Sequence, residues 1–201
     1  MPGPMPRLER IVAAVSLWMA RAGGLLLLLS SALISFEILA RKFFALPFSV
    51  GNELSGYALA IGASWSFAYA LLHRAHVRVD VLRGLFPPLG RTILDVLALI
   101  SLGALALALC WPAWGTAATS LQLGARENTP LGTPLIVPQG LWLIGLIWFA
   151  FVCLEQCVLV LMALVRRDAH TVERLAAPVA AEATEVEEAL AKADTRLQGV
   201  L

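Results

Sequence analysis

The chain is predicted to be an all-α membrane protein with four transmembrane helices and both termini on the cytoplasmic side. An N-terminal interfacial helix is expected before the first span, and a short cytoplasmic amphipathic helix between the second and third. Three observations predict this. Hydrophobic residues make up 59% of the 201 residues and charged ones 14%, against roughly 25% charged in soluble domains. Apolar runs near the length needed to cross about 30 Å of hydrocarbon recur along the chain. The cationic residues collect at alternate ends of those runs.

In chain order, residues 1–21 form a cytoplasmic segment. Within it Arg7, Glu9 and Arg10 alternate with Leu8, Ile11, Val12, Val15 and Trp18, a pattern suited to a helix lying in the interface. The first span covers about 22–40. Arginines ahead of a leucine run, followed by Ser30-Ser31-Ala32, resemble a cleavable leader. The apolar run, however, continues through Leu33, Ile34, Phe36, Ile38 and Leu39, so an uncleaved span is expected. Glu37 and Arg41, four apart on one helix face, are placed to pair.

The second span, about 54–72, opens behind Glu53, a carboxylate favoured by the helix dipole, with Asn52 as its expected cap. Its small residues fall in two rows, Gly56, Ala60, Ser64 and Ala68, then Gly62, Ser66 and Ala70. That spacing lets helix backbones approach closely in lipid. The third span covers about 92–114, with Arg91 and Asp95 an i,i+4 pair at its start. Residues 115–140 read as a loop carrying Arg126, Glu127 and three prolines, and Trp111, Trp114 and Trp142 read as an aromatic belt on one interface. The fourth span covers about 141–165. The membrane domain is thus 22–167, and 168–201 reads as a mobile cytoplasmic tail.

Between the second and third spans lies His73-Arg74-Ala75-His76-Val77-Arg78-Val79-Asp80-Val81-Leu82-Arg83-Gly84-Leu85-Phe86. Its apolar residues gather on one helical face, and an unpaired strand at a membrane surface would leave its backbone unsatisfied, so a helix ended by Pro87-Pro88 is expected. Four spans put the N-terminus, this stretch and the tail on one side. That side carries Arg7, Arg10, Arg21, Arg74, Arg78, Arg83, Arg91, Arg166, Arg167 and Arg174 against Arg41, Lys42 and Arg126 on the other. The bias makes the first side cytoplasmic.

The composition excludes several function classes. A net charge of +1 with arginines at span ends offers no face to nucleic acid. Cys110, Cys153 and Cys157 all fall in apolar runs, an odd count that builds no disulfide framework and reads as small buried hydrophobes. No histidine lies inside a span, and no phosphate loop, zinc spacing or nucleophile motif occurs. The chain is therefore expected to be no enzyme and to hold no cofactor. One ionisable residue stands inside a span: Glu155, 14 positions into the fourth. A carboxyl at that depth costs a few kcal/mol unless partnered. It reads either as a proton or cation site or as a protonated structural group.

The order of these residues resembles the small permease subunit, DctQ type, of tripartite ATP-independent periplasmic (TRAP) transporters. The resemblance runs from about Arg7 to Arg167 and rests chiefly on His76-Val77-Arg78-Val79-Asp80 after the second span. Glu53 and Tyr57 opening that span, Arg91 and Asp95 opening the third, and Thr129-Pro130 and Pro138 before the fourth add to it. It implies a multi-pass subunit of the bacterial inner membrane, partnered by a large multi-span permease and by a periplasmic substrate-binding protein that delivers an organic anion. Uptake would be driven by a sodium or proton gradient through sites in the large subunit, with this chain as scaffold. Glu53, His76, Arg78, Asp80, Arg91, Asp95 and Glu155 are the expected interface or structural residues. Arg41, Lys42, Arg126 and Glu127 are candidates for docking the binding protein. The competing reading is a self-sufficient homo-oligomeric transporter or channel that uses Glu155.

Overall fold

A computed structural model describes residues 7–44, 50–73, 87–129 and 131–166. These residues form four helices, α1 (Arg7–Phe44), α2 (Gly51–Leu72), α3 (Pro88–Leu123) and α4 (Ile136–Val165). No strand occurs among the described residues beyond an isolated bridge between Arg126 and Pro134. The segment expected between the second and third spans, including His76, Arg78 and Asp80, lies outside the described residues, as does the 168–201 tail.

Three of these helices, α1, α3 and α4, are long and apolar enough to cross a membrane. The 22 residues of α2 reach about 33 Å at 1.5 Å per residue, but glycine, alanine and serine dilute its apolar content. The expected interfacial helix is not a separate element: residues 7–44 form one continuous helix of 38 residues. Its first half is packed rather than free, for Val12 and Ser16 are buried and Trp148 Nε1 of α4 donates to Ser16 Oγ at 3.0 Å. The expected 115–140 loop is also shorter than its prolines and glycine suggested. Helix α3 carries Pro112 in its interior and continues to Leu123, ending on Gly124 at φ 60°, a left-handed closure that glycine adopts without strain. Helix α4 starts at Ile136, with Pro138 in its first turn, where the missing N–H would have had no helical partner anyway.

The substantial packing runs α1 to α2, α2 to α4 and α4 to α3, so the helices follow one another in a row, with α1 also touching α4 where Trp148 meets Ser16. Glycines set two of the close approaches. A Cβ on Gly23 would lie 3.0 Å from Gly62 Cα, and one on Gly62 would lie 3.0 Å from Gly23 O, so α1 and α2 meet backbone to backbone. A Cβ on Gly145 would fall 2.5 Å from Ser64 Oγ and 2.6 Å from Trp65 Cδ1, so α4 presses its bare backbone onto α2. The small-residue rows of α2 thus divide: Gly62, Ser64 and Ala68 are buried in the row, while Gly56 and Ala60 are exposed. The main core gathers Val12, Ala68, Leu71, Leu99, Ala106, Phe149, Val152, Cys153 and Val160. Cys153 is fully buried and Cys110 and Cys157 partly so, all three as free thiols. Helix α4 is the central element, with 44% of its apolar window buried against 11% for α1 and 17% for α3.

Candidate functional site at the loop end of the helix row

The polar chemistry of the described residues concentrates where α1 ends and α2 and α4 begin. The first part is a clasp between α1 and α2. No side chain of α2 caps its N-terminus, whose cap position is Val50 rather than the expected Asn52. Asn52 lies inside the first turn instead, its carbonyl accepting from Ser55 Oγ at 2.8 Å. The first-turn amide is satisfied from α1: Glu37 Oε2 accepts from Gly51 N at 2.7 Å, which puts a carboxylate where the helix dipole favours one. Its Oε1 accepts from Arg41 at 2.6 Å, forming the expected i,i+4 pair, with the arginine side chain 60% exposed and the glutamate 10%. A Cβ at position 51 would sit 2.6 Å from Glu37 Oε2, so only glycine lets the carboxylate come this close.

The second part ties the α3–α4 connection to α2. Tyr57 Oη donates to Glu53 Oε1 at 3.0 Å, and Thr129 Oγ1 donates to Glu53 Oε2. Hydrogen bonds from Thr129 and then Thr133 hold the Glu53 carboxyl below its ordinary range, with burial acting against them and Tyr57 adding to the lowering. The connection is folded on itself: Glu127 N donates to Thr133 O at 2.9 Å, Leu135 N to Ala125 O at 3.0 Å, and Arg126 to Gly132 O at 3.1 Å. Asn52, Glu53, Tyr57, Glu127, Asn128 and Thr129 line a polar cleft of about 460 Å³ here. Beside it an apolar cleft of about 330 Å³ opens between α1, α2 and α4. Tyr57 lines both.

The expected site residues are therefore dispersed. Glu53 and Glu127 meet at the polar cleft. Arg41 serves the clasp, Lys42 stacks 5.9 Å from the Phe43 ring, and Arg126 braces its own loop. Asp95 is buried in α3 at 6% exposure; Arg91 is helical in the first turn of α3, its side chain outside the described ones. Glu155 lies 19 residues after the start of α4, roughly 28 Å along it, and so is farther from the start of the helix than the expected span placed it, because α4 begins at Ile136. Its Oε2 accepts from Gln156 Nε2 at 3.2 Å, its Oε1 is enclosed without a hydrogen-bond partner, and Glu9 in the first turn of α1 lies within electrostatic reach. Among the described residues no group of His, Cys, Asp and Glu is arranged to hold a metal ion.

Two contacts of this candidate site are not legible in the sequence. Glu37 was expected to pair with Arg41, but its reach to Gly51 joins positions 14 apart that only the helix turn brings together. Thr129 figures only within the Thr129-Pro130 pair of the family resemblance, and Thr133 carries no signal.

Among known families, the model described as tripartite ATP-independent periplasmic transporters, DctQ component, matches residues 30–163. The match runs from the middle of α1 to near the end of α4 and takes in both parts of the loop-end site. Comparisons with curated proteins and with solved structures gave no match. With two thirds of its length matched, the chain belongs to the DctQ component family of tripartite ATP-independent periplasmic transporters and is a small permease subunit of that transporter class.

Proposed function

We propose that the chain is the fixed scaffold of its transporter, crossing the bacterial inner membrane four times with both termini in the cytoplasm. It holds a large permease subunit in place while that subunit takes up an organic anion, delivered by a periplasmic binding protein, driven by a sodium or proton gradient. The observation that carries this reading is the helix row with its uncovered outer faces. Its inner contacts are made through glycine, and its loop end is pinned by Glu37 and Glu53. Yet α1 and α3 leave most of their apolar windows uncovered. A row braced internally and uncovered on its outer helices suits one part of a larger membrane assembly.

Within that reading the chain does no catalysis and binds no cofactor, and the substrate and ion sites belong to the large subunit. His76, Arg78 and Asp80 would hold the cytoplasmic ends of α2 and α3 or contact the large subunit, with Arg91 and Asp95 supporting them. Arg41, Lys42, Arg126 and Glu127 stand at the loop end, where the positive-charge bias puts the periplasm, and would meet the binding protein there.

A second reading keeps Glu155 as part of a conduction path in a homo-oligomer, favoured by its enclosed and unpartnered Oε1. Glu155→Gln separates the two, because it retains size and hydrogen bonding while removing the ionisable proton. On the scaffold reading the substituted complex assembles normally and takes up substrate within about twofold of the parent rate, since an interaction outside the transport path contributes little to the barrier. Abolished uptake by a fully assembled complex would instead put Glu155 on the path.

A further inference from the structure

The clefts on either side of Tyr57 have complementary chemistry. Helices α1 and α4 meet where Trp148 donates to Ser16. Towards the loop end they enclose, over α2, the apolar cleft of about 330 Å³ lined by Leu26, Leu33, Leu54, Ile61, Val137 and Leu141. That volume lies within the range of small-molecule pockets. Val137 on its wall remains 54% exposed, so the cleft is open from the side. At its mouth Tyr57 passes into the polar cleft, where Glu53 and Glu127 contribute two carboxylates and no basic side chain is among the described residues that line it. Thr129 and Tyr57 fix the Glu53 carboxylate by donating to both its oxygens and Thr133 adds a third hydrogen bond, which still leaves lone-pair capacity on a carboxylate that offers about four sites.

We propose that this double cleft binds one phospholipid with an ammonium headgroup, of the phosphatidylethanolamine type. One of its two acyl chains lies between α1 and α4, and the ammonium group sits against Glu53 and Glu127. The charge of the rim selects the occupant. An anionic lipid brings an uncompensated negative charge to two carboxylates, whereas an ammonium headgroup offsets the phosphate and donates to them in charge-assisted hydrogen bonds. A transmembrane helix from a partner would fill the apolar part and leave the acidic rim unused. The proposal needs only that the chain is embedded in a bilayer and stands or falls apart from the scaffold reading.

The test is native mass spectrometry of the full-length chain, delipidated in mild detergent and titrated with phosphatidylethanolamine or phosphatidylglycerol of identical acyl chains. Phosphatidylethanolamine should bind about tenfold more tightly, the scale of one hydrogen bond to a charged group. Glu53→Gln should bring the two lipids to within about twofold of each other. Val137→Trp, at an exposed wall position where the larger ring fills the cleft without disturbing the core, should weaken both. Equal binding of the two lipids by the parent chain, an unchanged preference in Glu53→Gln, or unchanged affinity in Val137→Trp would each overturn the proposal. So would a Val137→Cys variant that cross-links in membranes to a partner protein in place of lipid.

Discussion

Replacing Gly145 with alanine lowers the stability of the detergent-solubilised chain by about 1–3 kcal/mol, the usual cost of forcing an extra methyl into a filled contact. The new Cβ would stand 2.5 Å from Ser64 Oγ, 2.6 Å from Trp65 Cδ1 and 2.9 Å from Ser64 Cβ. Neither neighbour is free to yield. Ser64 is 1% exposed and donates to Ile61 O at 3.0 Å, and Trp65 Nε1 donates to Leu141 O at 2.8 Å. Helix α4 must therefore move off α2, and because α4 also carries the contact with α3 the loss propagates to that side. Gly115→Ala is the control: a Cβ there meets nothing within 4 Å. Removing a glycine from a helix interior should leave stability unchanged or raise it by up to about 1 kcal/mol. Thermal unfolding followed by circular dichroism distinguishes them; equal midpoints for the two variants would show that the α2–α4 contact is looser than described.

Glu37→Ala removes the carboxylate that spans α1 and α2. Gly51 N–H is then left as a buried donor with no acceptor, a loss of about 1–3 kcal/mol. Hydrogen exchange of the first turn of α2 should rise correspondingly. Glu37→Gln retains an acceptor for Gly51 and should recover much of the loss. Arg41→Ala should cost no more than about 1 kcal/mol, because the arginine is largely exposed and surface ion pairs contribute little. If Arg41→Ala opened α2 as much as Glu37→Ala, the ion pair rather than the amide capping would be holding the turn.

The sequence made some of this structure legible and hid the rest for physical reasons. Helices announce themselves through long apolar runs, and the Glu37–Arg41 pair is visible because i,i+4 spacing is local. Helix ends were harder to place. The third span reads as ending near residue 114, yet the helix continues to Leu123 and closes on Gly124, whose left-handed backbone ends it. The charged first turns of α1 suggested a separate surface helix, whereas burial of Val12 and Ser16 against α4 depends on tertiary packing that no local pattern encodes. The site divides in the same way. Glu53 and Tyr57 could be picked out at the opening of a span, but their partner Thr129 lies 76 residues from Glu53, and no periodicity links such positions. The two small-residue rows of α2 announced close packing without saying which neighbour each would meet. Gly23 and Gly145 supply those neighbours, one from α1 and one from α4.

The central claim, that this chain braces a large permease and does not itself transport, is tested most directly by co-expression with and without that permease. Uptake of substrate is then measured in liposomes supplied with the binding protein and an ion gradient. The account predicts that the chain alone moves nothing, that it co-purifies with the permease as a stable complex, and that uptake requires both. A chain that purifies by itself as a stable homo-oligomer and transports substrate without the permease would contradict it.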